Sequence, residues 1–229
     1  MAGTPWCGGQ QPGLVTGLAA EARVAARLGM ARAGSAPAAV AEALVREGAT
    51  ALISFGLCGG LDPALAPGAL LVPRCVLDGG ASHRADPALA AALGGFSAAA
   101  LAGAAAVVAR RAAKAHLFAA TGAAGVDLES GAVARVAARH GLPFAVLRAV
   151  CDPATLDLPP LALNALDAAG TIRVGRMAAS LLAAPGQIGA LIALARAAAA
   201  ARAALIRRVG DILGASGGAS GGGSGGGVT

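Results

Sequence analysis

Short apolar runs that stop at glycine or aspartate alternate with alanine-rich stretches of helical length along most of this chain. That alternation leaves few folds open. A run such as Phe144 to Cys151 (FAVLRAVC), apolar on both faces and closed by Asp152-Pro153, suits a strand buried between two layers of helix. Thr50 to Phe55 is a second such run and ends in the glycine-rich Gly56-Leu-Cys-Gly-Gly60, which reads as a turn. Leu14 to Gly17 and Gly122 to Leu128 are shorter candidates, and Ala69 to Val76 follows Pro67-Gly68 as another. Between them lie predicted helices at Ala20 to Leu28, Pro37 to Glu47 with Ser35 as its cap, Arg110 to Ala120, and Ser130 to His140 with its stop at Gly141-Leu142-Pro143. Pro87 to Ala109 suits either a helix or small-residue strands. The sum is a single α/β domain, with a mixed, mostly parallel central sheet flanked by helices.

At 229 residues the chain is long enough for one large core, and its apolar content comes mainly from 66 alanines, with one Trp, no Tyr and four Phe. A mean hydropathy of +0.69 raises the question of a membrane. The long uncharged stretches are too rich in Ala and Gly, and too often broken by Pro and Gly, to read as spans. The start lacks a basic, apolar leader, so the expected location is cytoplasmic. Residues 1–12 read as an N-terminal extension, 13–213 as the domain and 214–229 as a flexible Gly/Ser tail, preceded by helices around Val174 to Leu182 and Ile188 to Val209.

Cys7, Cys58, Cys75 and Cys151 have no metal-ligand spacing among themselves or with a histidine, so no metal is expected. His83, His116 and His140 are scattered and read as surface or helix-end residues. Net charge is +6, almost all from arginine. Without aromatic interleaving this argues against nucleic acid. Arg196, Arg202, Arg207 and Arg208 beside an apolar stripe leave packing on the domain as the first expectation for the last helix, and peripheral contact with an anionic membrane as the alternative.

With only 12 acidic residues in the chain, their positions are informative. Glu21 follows the first strand, Asp127 and Glu129 flank the end of a later one, and Asp152 closes the FAVLRAVC strand. In open α/β sheets ligands bind beyond the carboxyl ends of strands, so these four acids and the Gly56, Gly59 and Gly60 backbone can converge on one pocket. Taken singly, each acid also fits a turn or a helix N-terminus.

The strings ISFGLCGGLDPALAPGALLVP from Ile53, GVDLESGAVARVAARHGLPFAVLRAVCDPA from Gly125 and GLAAEARVA from Gly17 resemble the purine nucleoside phosphorylase and methylthioadenosine/S-adenosylhomocysteine nucleosidase superfamily. Within it, the LPPLAL segment and the PGQIGALIALAR helix are most similar to the hopanoid-associated phosphorylases. The resemblance implies cleavage of an N-glycosidic bond in an adenosine-bearing substrate, adenosylhopane in that branch, with release of adenine by phosphate or water. It implies Asp152 as the acid acting on purine N7, Asp127 and Glu21 as acids that position the nucleophile, and Glu129 as the ligand of the ribose hydroxyls. Leu128 stands where a Met packs on the ribose, and Cys151 lines the adenine pocket or the core. A homodimer and no cofactor are implied, with inorganic phosphate as a candidate co-substrate. A small soluble thio-nucleoside as substrate, or binding without turnover, are the rival readings. Leu57 replaces a Ser of the family's glycine-rich turn, so a phosphate would need the backbone N–H groups of Gly56 to Gly60 or an arginine such as Arg84. The chain is also short between Gly29 and Pro37, where relatives carry an extra strand, and alanines replace the usual polar residues around Ala104 to Ala109.

Overall fold

Two long strands, β3 and β9, run parallel through the middle of the molecule and are buried along nearly their whole lengths. The computed structural model describes Trp6, residues 9–159 and residues 188–218. In chain order the elements are β1 (Pro12–Thr16), α1 (Ala19–Ala25), β2 (Met30–Ala33), α2 (Pro37–Arg46), β3 (Ala51–Gly60), β4 (Leu70–Leu71), β5 (Pro73–Asp78), β6 (Ala81–Arg84), α3 (Pro87–Ala92), β7 (Ala98–Gly103), α4 (Arg111–Thr121), β8 (Gly125–Asp127), α5 (Ser130–His140), β9 (Phe144–Asp152) and a final helix, α6 (Ile188–Gly218). The sheet is mixed, in the order β2-β1-β3-β8-β7-β5-β6, with β9 beside β3 and β4 on β9.

Alternation along the strands divides the core into two layers. Ile53, Phe55, Ala145 and Leu147 face one side, where they meet Leu205, Val209 and Ile212 of α6. Leu52, Phe144, Val146 and Val150 face the other, against Leu44 of α2 and Val133 and Val136 of α5. Trp6 is buried in the first layer and its indole N–H donates to the Leu28 carbonyl at 2.7 Å. The second half of α6 therefore packs on the domain, while Ile192 and Ile206 stay exposed. By length and composition alone, Gly189–Ala215 is apolar enough to cross a membrane.

Several local expectations change. The Gly56 to Gly60 turn is the continuation of β3, because β9 on one side and β8 on the other supply pairing partners for it. One short strand, β2, occupies the segment before Pro37. Its four residues (MARA) are half exposed and carry no strand pattern, and pairing with β1 supplies what propensity lacks. Ala69 to Val76 divides into β4 and β5 just before Pro73, with the Ser97 hydroxyl accepting the Val72 N–H at 2.9 Å. The ambiguous middle is α3 followed by β7. Helix α2 begins on Pro37 rather than on a Ser35 cap, since proline is preorganised for the first helical position. Helix α5 ends at Gly141 as expected, whereas α6 runs on past Val209 to Gly218. The predicted helix at Val174 to Leu182, and most of the LPPLAL segment, lie outside the described residues.

Candidate active site

Arg148 occupies the centre of the site, on the face of β9 that also carries Val146 and Val150. It is 1% exposed. A guanidinium so far from water needs partners on every side. Its Nε lies 2.7 Å from Asp127 Oδ2 and its Nη2 3.0 Å from Glu129 Oε2. Nη2 also donates to Ser54 Oγ at 2.7 Å, and Nη1 donates to the Leu57 carbonyl at 3.0 Å. Against the desolvation that would release its proton, Asp127, Glu129 and Glu21 hold the guanidinium charged.

The acids come to it from different strand ends. Asp127 closes β8 and accepts the Ser130 backbone N–H at 3.1 Å and the Ser130 hydroxyl, and that hydroxyl also meets Ser54 Oγ at 2.9 Å. Glu129 precedes α5. Glu21 lies in the first turn of α1, where it accepts the Leu18 N–H and, across the site, the Leu57 N–H, both at 3.0 Å. Burial pushes the carboxyls of Glu21 and Glu129 above the ordinary glutamate range, and Arg148 pulls each part of the way back.

Two glycines make this packing achievable. Gly56 has φ of +143°, and a Cβ there would sit 2.7 Å from Glu21 Oε2 and 2.9 Å from Arg148 Nη1. At Gly17 a Cβ would come within 2.6 Å of Glu129 Oε1. The glycine-rich end of β3 thus clears room for side chains. Within it the Leu57 N–H is taken by Glu21, and Gly59 and Gly60 are in register with Val126 and Gly125 of β8.

Asp152 ends β9 beyond an irregularity at which Gly59 pairs with Asp152 and Cys151 is passed over. Bulges of this kind re-aim the side chain that follows. Its carboxylate forms an ion pair with Lys114, which is 0% exposed and donates as well to the carbonyls of Pro153 at 3.0 Å and Leu156 at 3.3 Å. Desolvation raises the Asp152 carboxyl above the ordinary aspartate range, while Lys114 draws it down. The Cys151 thiol lies 3.5 Å from Asp152 Oδ1, and burial beside that carboxylate pushes it well up, as burial does for Cys58. Neither thiol is activated as a nucleophile.

Leu128, between Asp127 and Glu129 in the chain, is exposed. Arg84 is not part of it. It sits on the edge strand β6 and lines a separate surface cleft of about 410 Å³ with His83 and Asp86. Arg148 and Lys114 are the residues that the sequence reading missed. A single cation inside an otherwise apolar strand, and the lone lysine of the chain, were the signals that could have revealed them.

The profile of the phosphorylase superfamily matches residues 11–184. The chain belongs to that superfamily. Its class is accordingly that of a nucleoside phosphorylase or nucleosidase enzyme. No curated protein matches it. Among solved structures, a putative methylthioadenosine nucleosidase from Weissella paramesenteroides superposes with a TM-score of 0.60 at 16% identity, covering 92% of this chain and 99% of the other. The S-adenosylhomocysteine nucleosidase of Streptococcus pyogenes gives 0.58 at 17% identity, over 64% and 85% of the two chains. A futalosine hydrolase mutant from Helicobacter pylori gives 0.54 at 15% identity, over 62% and 89%. At such identities the likeness is one of fold.

Proposed function

We propose that this member of the superfamily releases adenine from an adenosine-type nucleoside by adding water, rather than phosphate, at the anomeric carbon. The observation that carries this is the charge balance around Arg148. Three carboxylates, Glu21, Asp127 and Glu129, share one buried guanidinium, and exposed Arg202 of α6 acts only weakly on Glu21. A phosphate dianion placed there would meet net negative charge that exposed Arg202 offsets only in part, whereas a neutral water meets no such penalty.

Each group then has one task. Glu21, buried and with its carboxyl raised, takes a proton from the attacking water, since a base is most effective when its pKa approaches the working pH. Asp127 is locked by Ser130 and Arg148 and fixes the floor of the site. Glu129 accepts the ribose hydroxyls and Leu128 covers the sugar. Gly56, Gly59 and Gly60 bring the β3 backbone close, and Cys151 borders the base. Asp152 delivers a proton to N7, so that the base departs neutral as the ribosyl cation develops. No cofactor enters the scheme.

For the substrate we favour adenosylhopane, on the resemblance to the hopanoid branch and on the apolar, partly exposed Gly189–Ala215 segment, which could meet a lipid surface from a cytoplasmic homodimer. The rival is a soluble thio-nucleoside such as methylthioadenosine, and the nucleosidases among the structural neighbours support it. The test is adenine release from each substrate with and without phosphate. A free ribosyl product formed at a phosphate-independent rate is expected. A ribosyl phosphate product would overturn hydrolysis, and tight binding without release would make the protein a binder. On the acid side the rate should climb with pH as Glu21 ionises, with its midpoint above the ordinary glutamate value.

A further inference from the structure

Helix α4 inverts the usual rule for a surface helix. Its alanines are exposed or half-exposed, and Lys114 is the one residue it buries. All three donors of that ammonium are engaged, by the Asp152 carboxylate and the Pro153 and Leu156 carbonyls. A buried lysine can give up its proton far more readily than an arginine can.

We propose that Lys114 is the proton reservoir for Asp152 and the residue that positions it. The inference rests on the reading of Asp152 as the acid. In the resting site the proton is on Nζ and Asp152 is a carboxylate. When the base is bound, one Nζ–H bond breaks, the proton passes through the Asp152 carboxyl, and an N7–H bond forms. The N9–C1′ bond breaks with its electron pair remaining on the base, which leaves as neutral adenine. Asp152 is again a carboxylate and Lys114 a neutral amine, which recovers a proton equivalent to the one that water loses on adding to C1′. Among the described residues, the titratable groups acting at this point are Lys114 from α4, Cys151 beside Asp152, and Cys58 of β3, which feels the Asp152 charge.

The chain contains a single lysine, so 15N-lysine labelling reports Lys114 alone. In the full-length protein the Nζ signal should be that of an ammonium at neutral pH, and should move on Asp152→Asn and again on addition of adenine. A signal indifferent to both overturns the proposal without any assay of turnover. In kinetics, with whichever of methylthioadenosine or adenosylhopane is turned over, wild-type kcat/KM should hold across the pH values at which the Lys114→Met rate falls. Lys114→Met must rely on a proton held by Asp152 itself, so its rate should fall as pH rises through the carboxyl's own raised value, with a loss of about 100-fold or more at pH 8. Lys114→Arg keeps the charge but not a releasable proton, and should fail to rescue. Full rescue by Lys114→Arg, or an unchanged pH profile in Lys114→Met, would show that the lysine is only structural. Near-normal turnover in Asp152→Asn would instead remove the reading on which this one stands.

Discussion

Four residues apart on β9, Arg148 and Asp152 head two charge groups that are built in opposite ways. Around Arg148 a cation gathers three acids from β8, the start of α5 and α1, together with two serine hydroxyls. Around Asp152 an acid has one cation, sent in from α4, and two backbone carbonyls beside it. The first arrangement is over-supplied with negative charge and tightly interlocked, which suits gripping hydroxyls and a neutral nucleophile. In the second, one proton has two adjacent places to be, which suits delivering it. A single strand can serve both ends of a glycosidic bond because the irregularity that passes over Cys151 re-aims the side chain of Asp152, which pairs with Gly59.

The comparison can be broken most severely at its cation. Arg148→Met leaves three carboxylates buried without their counter-charge, so we expect a loss of about 3–5 kcal/mol in stability and no measurable adenine release, read by thermal unfolding and product assay. Survival of a normal melting temperature would mean that the cluster is far more hydrated than its burial implies. Asp152→Asn should fold, because an amide oxygen can still accept from Lys114, yet lose a factor of roughly 100 to 10,000 in turnover. Near-wild-type release by this variant would end the contrast between a gripping and a delivering end.

Smaller effects sharpen it. Glu129→Gln replaces a charged acceptor by a neutral one, and should raise KM by about tenfold or more with a lesser change in kcat; unchanged constants would withdraw Glu129 from the sugar. Gly56→Ala puts a methyl group against Glu21 and Arg148 at positive φ, at a cost of about 1–3 kcal/mol. Its melting temperature should fall while the Lys114–Asp152 end keeps its pH profile. A shifted profile would show that the two groups are coupled.

How legible these groups were in the sequence follows from the range of the interactions that make them. Strand ends are local events: FAVLRAVC stops at Asp152-Pro153, GVD stops at Asp127, and the sequence alone assigns both acids to one edge of an α/β sheet. The α5 boundaries were legible for the same reason, since Gly141 ends a helix by its own backbone freedom. Strand β2 was not, because its four residues owe their conformation to β1.

Charge pairing is decided at long range, and there the sequence was silent. Lys114 and Asp152 are 38 residues apart, and Arg148 meets Ser54 across 94. The apolar run around Arg148 hints at its burial, but nothing local names its partners or distinguishes the glycines of β3 from turn formers. Chain order and composition determined which acids stand at strand ends and that the core is built of Ala, Leu and Val. Only the tertiary structure decided which cations those acids surround, because a buried charge is tolerated solely where the fold brings its partners within hydrogen-bonding reach.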